Sequence, residues 1–248
     1  MQKNLLSVLA LALLFTFAAC NKTAVDPVQL PSIGGSYNTA PVVEYHNIVI
    51  LGGSTAWGKG ASAHQYSWVS RLEAKVKFLH KNDTIINLAF PGYTTYHILP
   101  TKSVTKTNRP EADTLRNITT ALAKKPIMVI ISLPSNDIAN GYNDVEILNN
   151  YKTVADILHR QNIPYFITSN QPRNLSLSQR KRLKTFTNLL VKTFPGHIID
   201  YLDQLSDSSW LFKPVYNCGD GIHPNDRGHE VIYKAFVNNL AFKKALGF

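Results

Sequence analysis

The chain has 248 residues, 44% of them hydrophobic and 17% charged, which suits one sizeable globular α/β domain and excludes a disordered chain. Its net charge of +10 comes from scattered lysines and arginines. The densest cluster, Arg180-Lys181-Arg182, lies in a helix-like segment rather than a long basic run, so no nucleic-acid partner is expected.

At the start of the chain, Lys3 precedes an almost unbroken apolar stretch, Leu5 to Ala19. This stretch is shorter than the roughly 20 residues of a spanning helix and predicts a signal peptide over residues 1–19. It ends Phe17-Ala18-Ala19-Cys20, which resembles the lipobox of bacterial lipoproteins. That resemblance implies cleavage before Cys20, lipidation of Cys20 and a membrane contact through the lipid. The alternatives are a simple secretory signal, in which Cys20 is incidental, or an uncleaved anchor. The expected place is the bacterial cell envelope, facing the periplasm or the cell surface. Residues 20–45 contain Pro27, Pro31, Gly34, Gly35 and Pro41 and predict a flexible tether. With Cys20 acylated, Cys218 has no disulfide partner and reads as a small buried side chain rather than a reactive thiol.

Regular structure is predicted from about Asn47, giving a domain over residues 46–248. Short apolar runs at Ile48–Leu51, Ile85–Ala89, Ile127–Leu133, Tyr165–Thr168 and His197–Asp200 predict five strands. Helical spacing appears in Val69, Leu72, Val76 and Leu79, then in Tyr151, Val154, Ile157 and Leu158. It recurs in Leu183, Phe186, Leu189 and Leu190, and in Val231, Ala235, Phe236 and Leu240. Alternation of this kind predicts a three-layer α/β/α sandwich with a mostly parallel sheet.

In such a sheet, ligands bind outside the carboxyl ends of the strands. Ser54 follows the first strand, Gly92 the second and Asn136 the third. Near the C-terminus, Asp220-Gly221-Ile222-His223 sets a carboxylate three residues before an imidazole. These residue types can supply a nucleophile, a base and the base's orienting partner. The N–H groups of Ser54 and Gly92 and the amide of Asn136 can face a developing oxyanion. Taken singly, each is an ordinary turn or cap residue; their order along one sheet edge is what points to chemistry. The Gly-x-Ser-x-Gly elbow of α/β-hydrolases is excluded because Ala56 stands two residues after Ser54. His223 and His229 are six residues apart without further clustered ligands, so neither a metal nor another cofactor is expected.

Ser54, Gly92, Asn136 and His223, with Asp220, resemble the blocks of the SGNH/GDSL hydrolases, and the Asp-x-x-His-Pro segment Asp220–Pro224 is the most specific part. The resemblance runs from about Asn47 to the end. It implies a flavodoxin-like fold and metal-free ester hydrolysis, with Ser54 as nucleophile, His223 as base and Asp220 as its partner. It also implies an oxyanion hole of Ser54, Gly92 and Asn136. The chain departs from the family pattern at Gly53, where Asp is frequent, and at Pro134, where Gly is common. Trp57, Tyr93 and Tyr96 lie near the site in sequence, and Trp57 and Tyr93 are the candidate substrate wall.

The expected function is removal of a small acyl group, acetyl first, from a small-molecule or glycan ester. Alternatives are a lysophospholipase or other acyl-ester or thioester hydrolase, an O-acyltransferase, and a non-catalytic binding lipoprotein. A monomer is assumed.

Overall fold

The computed structural model describes residues 46–133 and 135–247. The signal peptide, Cys20, the tether and Pro134 lie outside the described residues. Five strands, β1 (Asn47–Gly52), β2 (Thr84–Asn87), β3 (Pro126–Ser132), β4 (Tyr165–Thr168) and β5 (Ile198–Ile199), form one sheet in the order β2-β1-β3-β4-β5. Every pairing is parallel, for example Ile50 with Ile130 and Ile131 with Ile167. The helices are α1 (Ser54–Trp57), α2 (Trp68–Leu79), α3 (Ile118–Ala123), α4 (Asn136–Ala139), α5 (Asp144–Arg160), α6 (Leu177–Thr193), α7 (Leu202–Leu205), α8 (Asp226–Asn238) and α9 (Leu240–Leu246). This strand order is that of flavodoxin-like sheets, with the order reversing beside β1.

The two-residue period of β1 divides the core. Val49 and Leu51 face one layer with Val129, Ile131 and Ile167, against α3, α5 and α6. Ile48 and Ile50 face the other with Met128, Ile130 and Phe166, against α2, α8 and α9. Both faces of the central strands are buried, which is why β1 and β3 read as continuous apolar runs rather than alternating ones. Each fully buried Ile or Leu contributes about 1.5–3 kcal/mol relative to exposure.

The helix starts follow their local chemistry. Ser67 caps α2 by accepting from the Ser70 N–H, and Asn225 caps α8 by accepting from Arg227 and Gly228. Asn143 with Glu146 closes a capping box on α5, as Ser176 with Gln179 does on α6.

Three expected elements differ. The second strand ends at Asn87 rather than Ala89; the Asn87 side chain accepts from the Ala89 N–H and donates to the Ala56 carbonyl, while Leu88 and Phe90 still donate to Ile50 and Gly52 of β1. The last strand is only Ile198–Ile199. The single final helix is two: α8 stops at Asn238, and Asn239 caps α9 by accepting from the Phe242 N–H. Leu240, expected on the buried stripe, is 81% exposed, while Phe242 takes the buried place.

Candidate active site

The chain leaves β1 through Gly53, whose N–H donates to the Ser132 carbonyl of β3 at 2.9 Å. Ser54 then opens α1, so its own N–H lies outside the intrahelical ladder. Its Oγ stands 2.8 Å from His223 Nε2. His223 Nδ1 stands 2.6 Å from Asp220 Oδ2, and Asp220 Oδ1 accepts the backbone N–H groups of Ile222 and His223 at 2.8 Å each. Asp220 thus folds its own loop around the histidine. Ser54, His223 and Asp220, separated by 169 residues at their widest, form one hydrogen-bonded line.

This line has a defined electrostatic character. Burial pushes the His223 ring below its ordinary value of 6.5, and the Asp220 carboxylate opposes that shift. Partial burial works against the charge on Asp220. Hydrogen bonds from the His223 ring and from the two backbone N–H groups outweigh it and hold Asp220 far below the usual carboxylate range. The arrangement is a neutral imidazole facing a hydroxyl, with a fixed anion behind it, which is what a general base at neutral pH needs.

The two other expected donors follow two other strand ends. Gly92, after β2, has φ +85°, a left-handed conformation that favours glycine, and nothing lies within 4 Å of where a Cβ would stand. Asn136 begins α4, after β3. One proton of its amide goes to the Tyr93 carbonyl at 2.8 Å, and its Oδ1 accepts from Arg173 Nη1 at 2.8 Å. These partners fix the amide orientation and leave a second N–H for a ligand. Gly53 lies alongside: a Cβ there would be 3.5 Å from Asn136 Nδ2.

Residues without a sequence signature hold the parts together. Asp137 is buried and accepts the Thr95 N–H and, at 2.6 Å, the Thr95 hydroxyl, which pins the segment after Gly92 beneath Asn136. Burial pushes its carboxyl up to about 6 against those hydrogen bonds. Buried Gln171, after β4, accepts from Thr55 Oγ1 and donates to the Ile222 carbonyl, each at 2.6 Å. His229 is buried and held neutral: Nδ1 accepts the Trp68 N–H and Nε2 donates to the Lys59 carbonyl, and burial pushes it down to about 4. That anchors the loop at Gly60, where a Cβ would fall 2.1 Å from the Pro224 carbonyl and 3.0 Å from His223 Cβ.

The candidate wall is revised. Trp57 is 50% exposed, but Tyr93 is only 6% exposed; it stacks on His97 at 4.4 Å and donates its hydroxyl to Asp113. Tyr96 is also buried, with its hydroxyl on Glu146. The exposed partner of Trp57 is Phe90, 42% exposed, with the rings edge to face at 5.8 Å. Arg116 lies over the Phe90 ring at 4.9 Å. A groove of about 460 Å³ runs from Trp57 past Lys59 and His64 to Pro91. Cys218, expected to be buried, is exposed; its thiol pKa is raised, by partial desolvation first. Its N–H donates to the His223 carbonyl at 3.1 Å, so its place in the loop is a backbone one.

The family model described as the GDSL-like Lipase/Acylhydrolase family matches residues 50–231, well over half of the chain. The chain belongs to this family. As a GDSL-type acylhydrolase it is an ester-bond hydrolase with the SGNH fold. No curated protein matches it. Among solved structures, it is similar to the psychrotrophic esterase EstA from Pseudoalteromonas sp., at 19% identity and TM-score 0.58, covering 82% of this chain and 100% of that one. It is similar to the acetyl xylan esterase AlAXEase at 15% identity and TM-score 0.59, covering 78% and 99%. AlinE4, an SGNH-hydrolase family esterase, matches at 24% identity and TM-score 0.52, covering 80% and 96%. At these identities the likenesses speak for the fold.

Proposed function

We propose that this GDSL-type hydrolase is a serine esterase that removes small acyl groups, acetyl first, from carbohydrate. The observation that carries the reading is the Ser54–His223–Asp220 hydrogen-bonded line, with Asn136 lining the same recess as Ser54. In this mechanism His223 Nε2 takes the Ser54 proton as Oγ attacks the ester carbonyl. Asp220 stabilises the imidazolium. The N–H groups of Ser54 and Gly92 and the Asn136 amide receive the oxyanion. His223 then returns the proton to the departing alkoxide, and a water repeats the cycle on the acyl-enzyme.

The sugar part of the reading rests on the exposed Trp57–Phe90 pair, of which Trp57 lines the 460 Å³ groove. A similar fold in an acetyl xylan esterase supports it by analogy. The test is turnover of p-nitrophenyl acetate and of acetylated xylo-oligosaccharide. Ser54→Ala is expected to lower kcat by on the order of 10⁶. Equal rates in both proteins, or no turnover of any ester, would reject the reading.

The lipobox-like Phe17–Cys20 supports a further part of the proposal, a lipid anchor at Cys20 that holds the enzyme in the bacterial envelope. Partitioning of the full chain into detergent should be lost in Cys20→Ala; unchanged partitioning would reject the anchor.

A further inference from the structure

We propose that Gln171 sets the acyl-chain length: its side chain closes the acyl side of the site to groups longer than acetyl. The inference rests on Ser54 being the nucleophile and goes beyond that role to the cause of selectivity.

The sheet order supplies the directions. Gly92 stands on the β2 side of Ser54, and Asn136 follows β3 on the other side. In this proposal the acyl substituent lies toward β4, the strand next to β3 in the sheet. A recess lies there, bounded by Ser54, Ser135, Asn136, Gln171 and Ile222, with about 10 Å³ of free space. That volume holds roughly one water-sized group, so a methyl fits and a longer chain does not. On the opposite side the Trp57 groove offers about 460 Å³.

Gln171 is the lining side chain whose polar end ties the segment of the nucleophile to the segment of the base. It is 2% exposed, with its oxygen on Thr55 Oγ1 and its nitrogen on the Ile222 carbonyl, both at 2.6 Å. Thr55 adjoins Ser54, and Ile222 adjoins His223. Swinging the amide aside to admit a chain would break both buried bonds, so the recess does not widen on demand. Arg173, two residues on, is committed to Asn136.

The experiment measures labelling of Ser54 in the full chain by p-nitrophenyl methylphosphonate and p-nitrophenyl hexylphosphonate esters, read by intact mass. The Ser54 oxygen bonds to phosphorus, p-nitrophenolate leaves, and the Ser54 proton passes to His223. The native protein is expected to favour methyl over hexyl by at least about 100-fold. Gln171→Ala should cut that ratio at least about tenfold. Gln171→Glu, whose protonated carboxyl fills the same space, should keep the ratio while labelling more slowly. If Gln171→Ala does not fold, as judged by thermal melting, Gln171→Asn is one methylene shorter and should raise propyl labelling relative to hexyl.

Methyl and hexyl labelling within about threefold in the native protein would overturn the proposal. So would an unchanged ratio in a folded Gln171→Ala, or no labelling even by the methyl reagent. Labelling of Ser54 without turnover of p-nitrophenyl acetate would reject ester hydrolysis, while the labelling ratio would still decide the role of Gln171.

Discussion

The two sides of Ser54 differ in kind. Toward β2, the turn just before Gly92 is open and aromatic: Phe90 is exposed beside the exposed Trp57, and nothing crowds the glycine. Toward β4, Gln171 and Arg173 are tied into short polar contacts and leave little space. An ester has two unequal halves, and the proposed function assigns them to these sides: the broad surface to an alcohol with a large apolar face, and the tight recess to a small acyl group. The difference teaches that loop chemistry at neighbouring strand ends, rather than the parallel sheet beneath, makes the two sides unlike.

The comparison can be broken first at its centre, which both sides share. Asp220→Asn is expected to lower kcat by about 10⁴, because the amide can favour the wrong imidazole tautomer. Steady-state kinetics with an unchanged Ser54 labelling stoichiometry would check this. A fall below tenfold would mean that Asp220 only shapes the loop.

Asn136→Ala sits on the boundary between the sides. It removes one oxyanion donor and is expected to cost about 10²–10³ in kcat, with little change in KM. A change carried mainly by KM would move Asn136 from transition-state stabilisation to substrate binding.

On the open side, Trp57→Ala should raise KM for acetylated xylo-oligosaccharide by about 3–10-fold, the equivalent of losing roughly 0.5–1.5 kcal/mol of ring contact. The loss on p-nitrophenyl acetate should be smaller. Equal losses on the two substrates would remove the sugar-facing role of the aromatic pair.

The smallest effect is in pH. His223 must be neutral to accept the Ser54 proton, and burial disfavours its protonated form. The neutral base therefore persists below pH 6.5, and the acid limb of kcat/KM should have its midpoint below that ordinary value. In Asp220→Asn the carboxylate no longer favours the imidazolium, so the residual activity should show a midpoint lower still. A limb above 6.5 in the native enzyme would contradict the buried, neutral imidazole.

Much of this site was legible because its parts carry short-range signals. Asp220 and His223 are three residues apart, with Pro224 and the Asn225 cap directly after them, and Ser54 and Asn136 each end an apolar strand. Tyr93 was misread as a wall because sequence distance to Gly92 does not say which face of a turn a ring takes; its hydroxyl went to Asp113. No local pattern marks Phe90 as Trp57's exposed partner, because the two rings are 33 positions apart and meet only in the fold. Leu240 was misplaced because Asn239 restarts the helix and rotates the stripe.

The sequence by itself determined the layers, the strand positions and the set of reactive side chains, because apolar periodicity and strand-end placement are local properties. Only the tertiary structure decided that Gln171 joins Thr55 to Ile222, that Arg173 orients Asn136, and that Asp137 pins Thr95. Those bonds link residues 37 to 116 positions apart. A buried polar side chain takes whichever partner the fold brings within reach, and no local pattern names that partner in advance.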